Sequence, residues 1–229
     1  MEAEPEPLSR EQIVREVVVA SVGILVVLGA VKHIGAFVPF VGRHSFTIAA
    51  AVQLYVPILL IGRRGLTKVK LGLTLDHWKR DLAGVAVWAL IVTIPFALGH
   101  HFWQSSLFGR TFTWRLPSDF LEMLAIQVFV VGLSEELFFR GYLQMRMEAL
   151  WPAKRKLFGV PFGAAIVGAA AVFALAHFVG EYRPDRLGPF FPALLFGWLR
   201  TRTGSIVGAV GFHAYCNVLG DVLYTFYKV

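Results

Sequence analysis

The sequence predicts an all-α fold, a polytopic integral membrane helical bundle with about seven transmembrane helices, built as one domain over residues 1–229. Three observations predict it. Hydrophobic residues make up 56% of the chain against 16% charged, with 22 glycines counted apart and a mean hydropathy of +0.63; a soluble domain holds about 45–50% apolar residues with glycine included. The apolar residues fall in continuous runs such as VVVASVGILVVLGAV and GAAIVGAAAVFALAHF, without the period-two alternation of a β-barrel. Lys and Arg gather in the short connections between those runs, the pattern of the positive-inside rule.

The runs set the elements in order, each near the 20 residues a spanning helix needs. The first covers about residues 17–38, interrupted by Lys32 and His33; the second about 45–61; the third about 82–98. The fourth starts near Phe120 and passes Val131 toward Met147. The fifth covers about 158–178, and its small residues (Gly163, Ala164, Ala165, Gly168, Ala169, Ala170, Ala171) suit close helix approach. The sixth, about 187–199, is short and reads as tilted or partly re-entrant; the seventh covers about 206–226. Helices are the spanning element because lipid offers no partner to an open backbone.

The net charge of +7, 22 Lys and Arg against 15 Asp and Glu, belongs to the connections, so nucleic acid is not an expected partner. Arg63, Arg64, Lys68, Lys70, Lys79 and Arg80 oppose Asp76; Arg146, Lys154, Arg155 and Lys156 oppose Glu148; Arg200 and Arg202 form a third basic site. A cytoplasmic N-terminus puts all three on the cytoplasmic side and the C-terminus outside, as in a multi-pass integral membrane protein, of the cytoplasmic (inner) membrane if the source is bacterial. The net acidic start is wrong for a cleaved secretory signal, so the first apolar segment is expected to be retained. The lone Cys216 allows neither an internal disulfide nor a thiolate metal cluster. The connections leave no room for a soluble domain, and no internal repeat is evident.

Ionisable residues inside spans are costly and point to function. In FVVGLSEELFFRGYLQMR, Glu136 and Arg140 are spaced to pair on one helix face, with Glu135 turned about 100° away. One carboxylate then serves structure while the other faces a cavity, or both simply satisfy arginine and backbone. His177 closes AAAVFALAHFVG. His213 and Asn217 share a face of the seventh run and can bind a metal, hold a water, or donate hydrogen bonds to an oxyanion. A carboxylate with an imidazole can take a proton from water and return it to a leaving group; an imidazole with an amide can stabilise a tetrahedral oxyanion. That set suffices for amide hydrolysis without a covalent intermediate. There is no HExxH zinc motif and no GxSxG elbow, and Asp221 lacks the partner of an intramembrane aspartyl pair.

These residues carry a resemblance. Glu135-Glu136-Leu137-Phe138-Phe139-Arg140 matches EExxxR, Phe173 to His177 matches FxxxH, and His213 to Asn217 matches HxxxN. In this order, on helices within about 118–226, they resemble the CPBP membrane proteases, the family of CAAX prenyl protease type 2 (Rce1-like) and Abi-like proteins. The resemblance implies a glutamic-type intramembrane endopeptidase acting on a membrane-anchored or C-terminal peptide, of CAAX type or as processing of a C-terminal sorting signal. It implies that Glu135 with His177 activates water, that His213 and Asn217 form the oxyanion hole, and that Glu136 with Arg140 orients the motif helix, Glu136 standing also as an assistant base. The expected cofactor set is empty and no metal is expected. The competing class is a non-catalytic membrane scaffold or a proton-coupled transporter that uses the same buried Glu and His residues.

Overall fold

The computed structural model describes residues 8–63 and 68–227, except the side chains at 68 and 69. The acidic start of the chain, Arg64 and the Lys68 side chain of the first basic connection lie outside the described residues. Ser9 opens α1 (Arg10–Phe37) with a capping box: Gln12 N donates to Ser9 Oγ at 3.2 Å, and Ser9 N donates to Gln12 Oε1 at 2.8 Å. One extended residue, Val38, separates α1 from α2 (Pro39–Gly62), which starts on the proline that best tolerates a first helical position. Helix α3 (Trp78–Phe102) runs on through a wide π turn at Trp103–Leu107.

Residues 120–150 form one rod, α4, built from α-helical stretches at Phe120–Ile126, Leu133–Glu136 and Met145–Leu150 joined by π segments at Gln127–Gly132 and Leu137–Gln144. Three further helices follow a short hairpin: α5 (Ala164–Glu181), α6 (Phe190–Thr203) and α7 (Val207–Thr225). The fifth apolar run begins near residue 158, and the helix starts at Ala164, the later start, after Pro161 or Gly163, that those residues also allow. The intervening chain forms two antiparallel strands, β1 (Arg155–Leu157) and β2 (Val160–Phe162), with Leu157 opposite Val160. Phe158 and Gly159 both take positive φ, +50° and +79°, as a two-residue hairpin loop of the I′ kind requires. Trp198 Nε1 on α6 donates to Leu157 O at 2.9 Å and ties the hairpin to the bundle.

Among the described residues four helices are long and apolar enough to cross a membrane: Arg10–Phe37, Pro39–Gly62, Trp78–Leu107 and Ala164–Glu181. Of the about seven expected spans, α4, α6 and α7 do not meet that standard; α6 has only 14 residues and α4 carries the charged motif. The exposed apolar residues follow helical spacing, as at Val14, Val18, Val22 and Val26 on α1 and Leu90, Ile94 and Leu98 on α3. Exposed apolar stripes of this kind mark a surface that meets a membrane or another protein. The interior gathers on α4, α5, α6 and α7, where Phe138, Phe139, Phe173, Phe196 and Phe212 are all buried.

Candidate active site

Glu136 is wholly buried on α4, and its Oε1 is the hub of the polar interior. It accepts from Arg140 Nη1 at 2.9 Å, one helical turn on, and from His213 Nδ1 on α7 at 2.7 Å. Arg140 also donates from Nη2 to the carbonyl of Ala193 on α6 at 3.2 Å. Its guanidinium lies 4.4 Å from the Phe173 ring centre and 5.1 Å from that of Phe196, so its remaining surface is covered by π-faces that favour a cation. A buried charge needs such full pairing, since desolvation otherwise exceeds the attraction.

The same aromatic residues hold the histidines. Phe196 stacks on His213 at 4.8 Å and 10°, and Phe173 meets the His213 ring edge-on at 5.7 Å. Because the Glu136 carboxylate accepts, His213 Nδ1 carries a proton, and Nε2 points to the second carboxylate: Glu135 Oε2 lies 3.8 Å away, is buried and makes no hydrogen bond. That distance exceeds a direct hydrogen bond. His177 Nδ1 lies 2.9 Å from the carbonyl of Phe173. A carbonyl only accepts, so the proton sits on Nδ1 and the neutral ring keeps its lone pair on Nε2.

A cavity of about 540 Å³ opens among α3, α5, α6 and α7, and its polar lining is His177, His213 and Asn217. The remainder is apolar, including Val92, Phe96, Phe191, Leu195, Phe212 and Leu219. Asn217 Nδ2 donates to Gln127 Oε1 on α4 at 2.8 Å. The structure therefore brings Glu135, Glu136, Arg140 and His213 into one cluster and sets His177 and Asn217 on the wall of the adjoining cavity. Among the described residues no hydrogen bond or ion pair joins Glu135 to His177. No three His, Cys, Asp or Glu side chains gather as a metal site in that set.

The segment holding this cluster decides the comparison. Residues 117–219 match the family model of the Type II CAAX prenyl endopeptidase Rce1-like proteins. Over these residues the chain is similar to the Rce1-like family. No curated protein and no solved structure matches the chain. The Rce1-like segment runs from the start of α4 to near the end of α7 and so contains every residue of the cluster. The similarity supports a protease-like function in a membrane-associated protein.

Two further polar residues of the Rce1-like segment, Gln127 and Gln144, were not singled out by the sequence. Gln127 joins Asn217 to Asp221, donating from Nε2 to Asp221 Oδ2 at 3.3 Å. Gln144, buried, donates to the carbonyl of Gly197 at 3.2 Å and to Thr201 Oγ1 and Glu148 Oε1 at 2.9 Å each. Glu148 in turn accepts from Arg200 at 2.9 Å. The one available signal was the four-residue spacing of Glu136, Arg140, Gln144 and Glu148 along a single helix.

Proposed function

We propose that the chain is a member of the Rce1-like family throughout and an intramembrane endopeptidase that cleaves a membrane-anchored or C-terminal peptide by carboxylate-activated water. The observation that carries this is the contact of His213 with two carboxylates, Glu136 at 2.7 Å and Glu135 at 3.8 Å, on the edge of an apolar cavity. Water bridges gaps of this size, so a water between Glu135 Oε2 and His213 Nε2 stands where it can attack a peptide carbonyl entering the cavity. Glu135 is the general base. His177, with its Nε2 lone pair, shares the proton and returns it to the leaving amine.

The oxyanion that forms is met by donors from α7. Asn217 offers an amide N–H. His213 offers Nε2–H once that nitrogen holds a proton, and its positive charge then answers the negative oxygen. Glu136 fixes the His213 ring, and Arg140 fixes Glu136. The three basic connections face the cytoplasm in a seven-span arrangement, and the cavity receives the substrate from within the bilayer.

The test is purified wild type, Glu135→Ala and His213→Ala in proteoliposomes with a library of membrane-tethered, internally quenched peptides, half ending in a prenylated cysteine motif, with and without chelator. Cleavage by wild type and its fall by about 10²–10⁴-fold in both folded variants is expected, the range for a lost acid–base group. Retained cleavage in both variants overturns the reading. A scaffold shows no cleavage at all, and loss on chelation assigns the carboxylates and imidazoles to a metal instead.

A further inference from the structure

Resting on the proposed oxyanion role of Asn217, we infer that Gln127 is a positioning residue that sets which atoms of the Asn217 carboxamide face the reaction, and that Asp221 imposes the direction. The three side chains form a chain of hydrogen bonds between α4 and α7: Asn217 Nδ2 to Gln127 Oε1 at 2.8 Å, and Gln127 Nε2 to Asp221 Oδ2 at 3.3 Å.

The polarity of this chain is dictated from one end. A carboxylate is an acceptor only, whereas an amide has one accepting and one donating end. Asp221 therefore draws the Nε2 end of Gln127, and the Oε1 end is left to face Asn217. Oε1 accepts, so Asn217 must present Nδ2 to it. One of the two protons on Nδ2 is consumed, and the other stays on the same nitrogen of a side chain that lines the cavity. Turned over, Gln127 would set its own oxygen against the Asp221 carboxylate and its amino group against Nδ2 of Asn217, two repulsive contacts. A donor held in advance needs no reorganisation as charge develops, which is the source of oxyanion stabilisation.

The local backbone serves the same contact. Gln127 opens the π segment Gln127–Gly132, and π turns widen a helix where a side chain must be re-aimed. Asn217 and Asp221 lie one turn apart on α7 and so present both ends of the relay to α4.

The experiment compares Asn217→Ala, Gln127→Ala, Gln127→Glu and the exchange Gln127→Glu with Asp221→Asn, using the proteoliposome cleavage assay. The exchange keeps the polarity by other means: the carboxylate it sets on α4 accepts both from Asn217 and from the amide it sets on α7. Expected are a fall in kcat of about tenfold for Gln127→Ala with KM within about twofold, inside the 10²–10³ that a whole oxyanion donor is worth. Gln127→Glu alone, with two carboxylates facing each other, falls at least as far. The exchange recovers most of the loss, which a merely structural role of Gln127 would not produce.

A second readout is independent of turnover. The Asn217 side-chain amide proton, ¹⁵N-labelled in detergent and assigned by its loss in Asn217→Ala, moves upfield in Gln127→Ala and returns in the exchange. An inactive Asn217→Ala beside a Gln127→Ala of wild-type kcat overturns the inference, as does an exchange no better than Gln127→Glu. An unmoved Asn217 amide proton overturns it even where no peptide is cleaved. An active Asn217→Ala overturns instead the oxyanion role on which it rests.

Discussion

Arg140 is buried to 1% exposure, with a carboxylate at 2.9 Å, a backbone carbonyl at 3.2 Å and aromatic rings on its faces. Removing it strands the Glu136 charge beside His213, and an orphaned buried charge costs about 3–5 kcal/mol. Arg140→Ala is expected to lose stability of that order, read as the unfolding midpoint in detergent. Arg140→Lys is expected to fall between, since an ammonium can answer Glu136 but cannot fork to Ala193 O or lie flat against Phe173. An Arg140→Ala protein that unfolds with the wild type would show that Glu136 is held by His213 alone. The Glu136–Arg140 pair was legible in the sequence because i and i+4 fall on one helix face. His213 was named as a site residue, but its contact with Glu136, 77 positions away, was not legible, nor was Gln127, which lies 90 and 94 positions from its two partners. Spacing along a chain encodes neighbours on one helix and is silent about which helices meet.

Helix α4 works as a polar rail. Below Glu136, the residues Arg140, Gln144 and Glu148 descend one side of it; Arg140 donates to Ala193 O on α6, Gln144 to Gly197 O and Thr201, and Glu148 accepts from Arg200. The two helices therefore run parallel, locked in register by successive polar rungs. On its other flank α4 must approach α7 closely enough for Glu136 to reach His213, and Gly132 permits it. A Cβ there would lie 2.8 Å from Gln127 O and 3.2 Å from Val210 O, both backbone atoms with no freedom to yield. Gly132→Ala is expected to destabilise the fold by about 1–3 kcal/mol, as overpacking does, and to lower cleavage with every motif residue intact. An unchanged unfolding midpoint and unchanged cleavage would mean that α4 and α7 part without consequence. The long apolar runs located α1, α2 and α3 in the sequence, but helix ends answer to local chemistry. The start of α5 is displaced by a hairpin whose loop, Phe158-Gly159, lacks the Asn-Gly or Asp-Gly signal that marks such turns.

At the scale of the whole molecule the bundle has two unlike ends. At one, Arg146 pairs with Glu16 at 2.8 Å, Ile206 N donates to Gly72 O at 3.0 Å, and Trp198 reaches the hairpin. The three basic connections are thereby drawn to the same end as the start of α1. At the other, Thr113 N donates to Phe226 O at 2.8 Å and His101 meets Tyr227 at 2.6 Å. Trp103, Phe108, Phe112 and Trp114 stand exposed there, the residue types that settle at a membrane–water boundary. Charged pairs at this end are exposed ones, as where Arg183 donates to Asp185 at 2.6 Å and holds its carboxyl below the usual carboxylate range. By the positive-inside rule, the proposed orientation sets the end with the basic connections in the cytoplasm. In a Cys216→Ala background, a membrane-impermeant maleimide is expected to label Lys156→Cys only in inside-out vesicles. Thr111→Cys is expected to react only in right-side-out ones; Lys156 and Thr111 are both exposed. Labelling with the sides exchanged would reverse the orientation. Labelling of both positions from one side would mean that the two ends do not lie across a bilayer, and the cavity lined by His177, His213 and Asn217 would then open to water instead of lipid.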